Sequence, residues 1–112
     1  MILTVPVTPE GVVSSHFGKA TRMAVGEVND GQLVNWQVHE VGWDVLHDEG
    51  GGGQHHARIV RFLKEQGVQR VLFSGMGASM QNTVAKMGLE LVKVGPLDAR
   101  EAVVQAAALQ AE

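Results

Sequence analysis

The first third of the chain carries the hydrophobic pattern of β-strands. An apolar run covers residues 1–7, and further strands are predicted over residues 22–28 and 33–39. The Asn-Asp-Gly turn at residues 29–31 is typical of a tight hairpin, because Asp and Gly tolerate the positive φ that such turns require. In the third strand, the alternation places Val34, Trp36 and Val38 on one face and Asn35, Gln37 and His39 on the other.

From residue 55 onward, helical spacing alternates with short apolar strands. Glycines stand where the first two helices should end, and glycine is the residue that most readily terminates a helix. The predicted helices run from His55 to Gly67 and from the Gly75-Met76-Gly77 turn to Gly88, and the predicted strands cover residues 70–74 and 89–95. A C-terminal helix follows, which Asp98 and Glu101 open as a capping box.

These elements follow one another in the order β-β-β-α-β-α-β-α. An antiparallel hairpin at the start and βα units afterwards predict an α/β fold, in which a mixed five-stranded sheet is flanked by three helices. A chain of 112 residues fits one domain. We therefore expect residues 1–112 to form a single domain.

Four consecutive glycines, Gly50 to Gly53, lie in a segment over residues 40–54 that predicts a long loop. Each glycine loses more backbone conformational entropy on folding than other residues do, so an ordinary structural loop rarely contains four glycines in a row. The run indicates a loop that opens and closes over a bulky guest, or one whose backbone approaches that guest closely; a disordered loop without a task is the alternative. Trp43, in the same predicted loop, is a candidate to close over a ligand.

The composition excludes several classes of protein. The net charge is −3, and the nine basic residues form no cluster of the kind that binds nucleic acid. No apolar run approaches the roughly 18 residues that span a bilayer, and the N-terminus lacks a signal-peptide pattern, so we expect a cytoplasmic protein. The chain has no cysteine, which excludes disulfides and thiolate-bound metal sites held by this chain alone.

Three segments are expected to meet where the loops follow the parallel strands of the sheet. They are His16-Phe17-Gly18 after the first strand, His55 and His56 beside the glycine run, and the Gly75-Met76-Gly77 turn. Ligands of open α/β sheets bind outside the carboxyl ends of the strands, where such loops gather. The sequence therefore predicts a cleft lined by histidines and glycine backbone.

Each histidine also has a structural interpretation. His55 and His56 could ligate a metal, since neutral imidazole is a common ligand, or one could cap the helix while the other is solvated. His16 is equally a candidate ligand or a structural residue of its loop. His39 is most simply a polar-face residue of the third strand, and His47 a solvated residue of the long loop.

Classical catalysis finds little support in the sequence. The Gly75-Met76-Gly77 turn fails the dinucleotide pattern because Met80 occupies the place of the third glycine, although its N–H groups could still hold an anion. The N-terminal strands contain only Glu27 as an interior acid, and no G-x-S-x-G pattern marks a nucleophile. The chain reads as a binding protein rather than an enzyme.

The segments VSSHFGKA and GGGGQHHARIVRFLKEQGVQRVLFSGMGASM, taken in this order, resemble the dinitrogenase iron–molybdenum cofactor biosynthesis family. This family includes the NifX and NafY proteins and the C-terminal domain of NifB. The similarity covers nearly the whole chain and implies a ribonuclease H-like fold that lacks the nuclease carboxylates. It also implies a non-catalytic carrier of an iron–sulfur or iron–molybdenum cofactor or its precursor, working with a protein that donates or accepts the cluster.

By this resemblance His16, in the HFG position, is the first candidate ligand, and His55 and His56, in the HHARI position, are the next. Gly75 and Gly77 are expected to shape the floor of the cleft, with Phe17, Gly18 and Met76 beside them. A module that binds a small anion or a protein without metal is the alternative function. A nuclease of ribonuclease H ancestry is a third, which the missing carboxylates disfavour.

Overall fold

The computed structural model describes residues 1–46 and 51–109. Its five strands form one mixed sheet in the order β3-β2-β1-β4-β5. The first three strands are antiparallel neighbours, whereas β1, β4 and β5 run parallel, so the predicted α/β class and mixed sheet are confirmed. The strands are β1 (Ile2–Val7), β2 (Arg22–Asn29), β3 (Gln32–Glu40), β4 (Arg70–Phe73) and β5 (Glu90–Lys93).

Four helices accompany the sheet among the described residues, where three were predicted. They are α1 (Trp43–Leu46), α2 (Gly51–Glu65), α3 (Ala78–Lys86) and α4 (Ala99–Ala107). The additional helix is the single turn α1, in which Val45 and Leu46 N–H groups donate to Gly42 C=O. The sequence pattern missed this turn because a helix of four residues is too short to display a hydrophobic period.

The helices cover the two faces of the sheet and create two apolar cores. One core lies between the sheet and α4, and includes Leu3, Val5 and Val103. The other contains Phe17, Trp43, Ile59 and Leu63 from the loop after β1, α1 and α2, with Met80 and Val84 from α3. Strand β1 is the middle strand of the sheet and runs parallel to its neighbour β4. The carboxyl end of β1 therefore lies centrally in the sheet, next to that of β4.

The β2–β3 hairpin confirms the predicted turn and corrects the predicted strand face. Asp30 and Gly31 have φ values of 52° and 78°, as a type I′ turn requires. Beyond the turn, Val28 pairs with Leu33 and Glu27 with Asn35, so Val34 is the extra residue of a β-bulge. The bulge changes the alternation: Leu33, rather than Val34, packs with Trp36 against the α4 core, and Val34 is 55% exposed.

The glycine run does not form the loop that was predicted over residues 40–54. Gly51 to Gly53 are the first residues of α2, which therefore begins four residues before His55. The first N–H groups of any helix lack intrahelical partners, so the low helical propensity of glycine matters least there, and the packing of Ile59 and Leu63 fixes the rest of the helix. Gly50 and His47, with Asp48 and Glu49, lie outside the described residues.

Local capping signals are confirmed at the other helix ends. Gly67 and Gly88 adopt φ values of 66° and 80° just after α2 and α3, a conformation that glycine adopts without strain. Asp98 is the N-cap of α4, and its carboxylate accepts a hydrogen bond from the Glu101 N–H group at 3.0 Å. Within the described ranges, no helix is long and apolar enough to cross a membrane.

We expect Asp98→Ala to lower the free energy of unfolding by about 1 kcal/mol, because the alanine leaves the Glu101 N–H group without its capping acceptor. Urea denaturation followed by circular dichroism measures this loss. Asp98→Ser, which keeps a capping oxygen, is the matched control and should remain close to the wild type. Equal losses in the two variants would show that the cap contributes nothing.

Candidate functional site

A cleft of about 370 Å³ opens where the loops after β1 and β4 meet α2. These two strands are parallel neighbours, so their carboxyl ends lie at the same edge of the sheet. The structure brings all three predicted segments, and all eight predicted binding residues, into the lining of this cleft. These residues are His16, Phe17, Gly18, His55, His56, Gly75, Met76 and Gly77.

The loop after β1 is fixed by its backbone and by one aromatic anchor. Ser14 N–H donates to Pro6 C=O at 2.8 Å, and Phe17 N–H donates to Gly75 C=O at 3.1 Å. The Phe17 ring is buried, with its centroid 5.9 Å from that of Trp43. Because Phe17 is anchored in the core, the adjacent His16 is held at the rim of the cleft, where its side chain is exposed.

Trp43 belongs to the core and does not line the cleft. Its ring packs edge-on against Phe62 and His55, at centroid distances of 5.5 and 6.3 Å, and only 2% of the residue is exposed. The prediction that Trp43 closes over a ligand is therefore wrong. The reason is hydrophobic: the α1 turn buries the indole between Phe17 and α2 instead of leaving it in solvent.

His55 is a buried side chain with hydrogen bonds at both ring nitrogens. Nε2 lies 2.6 Å from Gly18 C=O, and Nδ1 lies 2.9 Å from Arg58 Nη1, which also donates to Leu46 C=O at 3.1 Å. Arginine has only donors, so Nδ1 accepts and Nε2–H donates. His55 thus links the rim loop, α2 and α1, and a metal could reach either nitrogen only after one of these bonds broke.

His56 and His16 are placed differently from His55. Successive residues of a helix point about 100° apart, so His56 leaves the core that holds His55 and is half-buried in the cleft wall. Within the described part of the chain, neither the His56 ring nor the His16 ring has a hydrogen-bond partner. Both imidazoles are therefore available to a ligand in the cleft.

The Gly75-Met76-Gly77 turn brings the β4 loop against the β1 loop. A Cβ atom at Gly75 would lie 2.4 Å from Ser15 C=O, closer than any side chain allows. Gln81 Nε2 donates to Met76 C=O at 2.8 Å and fixes the turn from within α3. Gly77 is the N-cap of α3 and supplies no capping side chain, so the first turn of this helix faces the cleft without a side-chain acceptor.

The sequence model of the family described as dinitrogenase iron-molybdenum cofactor matches residues 1–109. The chain belongs to this family. The match confirms the resemblance drawn from the HFG, HHARI and G-M-G segments, which are the segments that line the cleft. Among curated protein sequences, the comparison finds no match.

Solved structures share the fold of this family member at low sequence identity. The apo form of the orange protein from Desulfovibrio gigas matches with a TM-score of 0.72 at 16% identity, over 95% of this chain and 86% of that one. A candidate NifB protein from Thermotoga matches with a TM-score of 0.68 at 18% identity. A candidate dinitrogenase from Methanocaldococcus jannaschii matches with a TM-score of 0.68 at 12% identity. Both matches cover 95% of this chain and 86% of the other. At these identities the likeness shows the fold alone.

The cleft of this family member is electrostatically suited to an anion. None of its described lining residues carries a carboxylate, whereas Lys19 and three histidines belong to the lining. Of the acidic residues in the predicted long loop, Asp44 is exposed and does not line the cleft, whereas Asp48 and Glu49 lie outside the described residues. Among these described lining residues, a negatively charged guest would meet only cationic or neutral groups.

Two kinds of contributing residue were not predicted from the sequence. Lys19 and Ile59 line the cleft, and Arg58 positions His55 but does not line the cleft. Helical spacing could have predicted that Arg58 and Ile59 lie near His55, because they stand three and four residues after it and share its side of α2. The other histidine of the described residues, His39, lies outside the cleft, with its ring edge-on to Phe62 at 5.5 Å.

Proposed function

We propose that this protein binds and carries an iron–sulfur or iron–molybdenum type cofactor, or a precursor of one, as a non-catalytic accessory of metallocluster assembly in the cytoplasm. A cluster donor or acceptor protein would be its partner. One observation carries the proposal: in a member of this family, the residues that the structure describes around the cleft include no carboxylate and present two imidazoles without partners, His16 and His56.

The donor set fits a cluster better than a single ion. Among the described residues, no group of three His, Asp or Glu side chains is arranged to hold a metal ion. A cluster arrives with its own bridging ligands and needs few protein contacts, so His16 and His56 suffice as exchangeable ligands. Lys19 would offset the negative charge of the cluster, and the thioether of Met76 would offer a soft contact.

His55 has a positioning role in this proposal. Its Nε2–H bond to Gly18 C=O keeps the rim loop against α2, which sets the separation between His16 and His56. A ligand role for His55, as the sequence predicts, would require the bond to Gly18 or to Arg58 to break. We propose that His16 and His56 bind the guest while His55 maintains the shape of the cleft.

We also propose the ribonuclease H-like assignment for the fold. The strand order β3-β2-β1-β4-β5, with β2 antiparallel to both neighbours, is consistent with it. The central strands β1 and β4 contain no acidic residue, and β2 contains only Glu27. A two-metal nuclease needs several converging carboxylates, so this composition supports binding over cleavage.

The test is an anaerobic titration with the isolated iron–molybdenum cofactor and, in parallel, with a synthetic iron–sulfur cluster that carries exchangeable thiolates. Visible absorption should saturate with the wild type. We expect His16→Ala and His56→Ala each to weaken binding about 10- to 100-fold, a loss typical even of supporting groups around metals. Titration with Fe²⁺ alone should show no comparable affinity.

The matched control is His39→Gln, which alters a histidine outside the cleft and should bind like the wild type. Circular dichroism establishes that every variant is folded. If the wild type binds neither cluster, or if His39→Gln weakens binding as much as His16→Ala does, the carrier proposal is wrong.

A second candidate function is the recognition of a small anion without metal. The observation that favours it is the first turn of α3, where Gly77 leaves the helix N-terminus open to the cleft. In this case inorganic phosphate or sulfate should bind in the absence of any cluster, and both His16→Ala and His56→Ala should retain that binding, because backbone N–H groups would supply the contacts.

A further inference from the structure

The outer side of β3 is a free edge of the sheet, since β3 pairs only with β2 among the described strands. Val41 N–H donates to Thr21 C=O directly across this antiparallel pair. Hydrogen-bonded and non-hydrogen-bonded pairs alternate along such a ladder, so the odd-numbered residues before Val41 bond to β2. The N–H and C=O groups of Trp36, Val38 and Glu40 therefore point outward, away from the sheet.

The side chains of these three residues lie on the α4 face, where Trp36 packs against the core. At the centre of the segment, Val38 is 49% exposed. On one side of it, the Arg100 guanidinium lies 5.4 Å from the centre of the Trp36 ring. On the other side, the Glu40 carboxylate is 77% exposed beside Arg22. The segment thus carries an apolar centre between a cation and an anion.

We propose that two copies of this chain associate through antiparallel pairing of their β3 strands, about a two-fold axis at Val38. In this register Val38 faces Val38 of the second copy, and Trp36 faces Glu40 of the second copy. The Arg100 side chain above Trp36 then meets that Glu40 carboxylate, and the symmetry repeats the contact on the other side. The two sheets become one continuous sheet.

Charge complementarity singles out a second copy as the occupant. Within the described part of the chain, no carboxylate lies at ion-pair distance from Arg100, whereas the exposed Glu40 has room for a second cation. Each copy supplies the carboxylate that Arg100 of the other copy lacks, and the two-fold axis brings both pairs together at once. An unrelated strand would have to carry the same spacing of acid, apolar residue and base.

The segment of β3 from Trp36 to Glu40 has little of the usual protection of an edge strand against pairing. Natural edge strands are blunted by lysine, proline or a bulge, and β3 contains neither Lys nor Pro. Its bulge is at Val34, before Trp36, so the segment from Trp36 to Glu40 keeps a regular register with β2. None of the residues in the proposed interface lines the cofactor cleft, so the pairing would leave the cleft open.

Sedimentation velocity over a range of protein concentrations tests the proposal. The wild type should shift from monomer to dimer as the concentration rises. Arg100→Glu places two acids together at both contacts, and Glu40→Arg places two bases together, so each should raise the dimer Kd about tenfold or more. An equimolar mixture of the two variants should associate like the wild type, because both contacts of the mixed dimer are of opposite charge.

A second pair of variants separates the edge from general surface effects. Val38→Lys introduces a charge at the two-fold axis and should abolish association, whereas Val45→Lys, on the exposed side of α1, should leave it unchanged. The proposal is overturned if the folded wild type stays monomeric up to millimolar concentration. It is also overturned if the wild type associates but the mixture of charge variants shows no recovery.

Discussion

Replacing His55 with alanine is expected to lower the free energy of unfolding by about 3 kcal/mol. The substitution removes a buried ring that bonds Gly18 C=O at 2.6 Å and Arg58 Nη1 at 2.9 Å. It leaves the half-buried Gly18 C=O and Arg58 guanidinium without this partner, and it opens space beside Trp43. Urea denaturation monitored by circular dichroism measures the change.

Two variants define what the His55 result means. His56→Ala removes the same side chain one position later, where the ring has no hydrogen-bond partner among the described residues, so stability should change by no more than about 0.5 kcal/mol. His55→Gln can donate to Gly18 and accept from Arg58, so it should recover part of the loss. If His55→Ala and His56→Ala were equally stable, the bridge between the rim loop and α1 would have no energetic role.

Replacing Gly75 with serine is expected to destabilise the protein by about 2–3 kcal/mol, because the new Cβ atom would stand 2.4 Å from the backbone oxygen of Ser15. A backbone atom cannot rotate away as a side chain can. The two loops must therefore separate, which lengthens the hydrogen bond from Phe17 N–H to Gly75 C=O. The free energy of unfolding in urea reports the cost.

Gly77→Ser is the matched control for this substitution. Nothing lies within 4 Å of a Cβ atom at Gly77, its φ is −63°, and serine is a favoured N-cap residue. We expect its stability to equal that of the wild type or to exceed it slightly. A Gly75→Ser protein as stable as Gly77→Ser would mean that the contact between the β1 and β4 loops is not tight in solution.

The sequence anticipated the meeting of the segments that contain His55 and Gly75, but not the separate roles of His55 and His56. The convergence of the HFG, HHARI and G-M-G segments follows from the order of strands and loops, because loops after neighbouring parallel strands must meet. The distinct roles of His55 and His56 do not follow from it. Two adjacent histidines at a helix start have the same local pattern, and only the positions of Gly18 and Arg58 separate a buried bridge from a free imidazole.

The sequence by itself determined the features that depend on neighbours along the chain. The I′ turn at Asp30 and Gly31, the glycine ends of α2 and α3, and the Asp98 cap each arise within a few residues, so local sterics and hydrogen bonding are sufficient to specify them. The apolar runs determined the five strands in the same way.

Only the tertiary structure decided the features that depend on contacts between distant segments. Helix α1 forms because burying Trp43 against Phe17 and Phe62 outweighs the cost of ordering one short turn, and α2 reaches back into the glycine run because its later residues are fixed by packing. Likewise, the bulge at Val34 lets the Leu33 side chain pack against the core, where it is partly buried. Hydrophobic burial acts between segments whatever their separation in sequence, so a local sequence pattern does not predict α1, the start of α2 or the bulge.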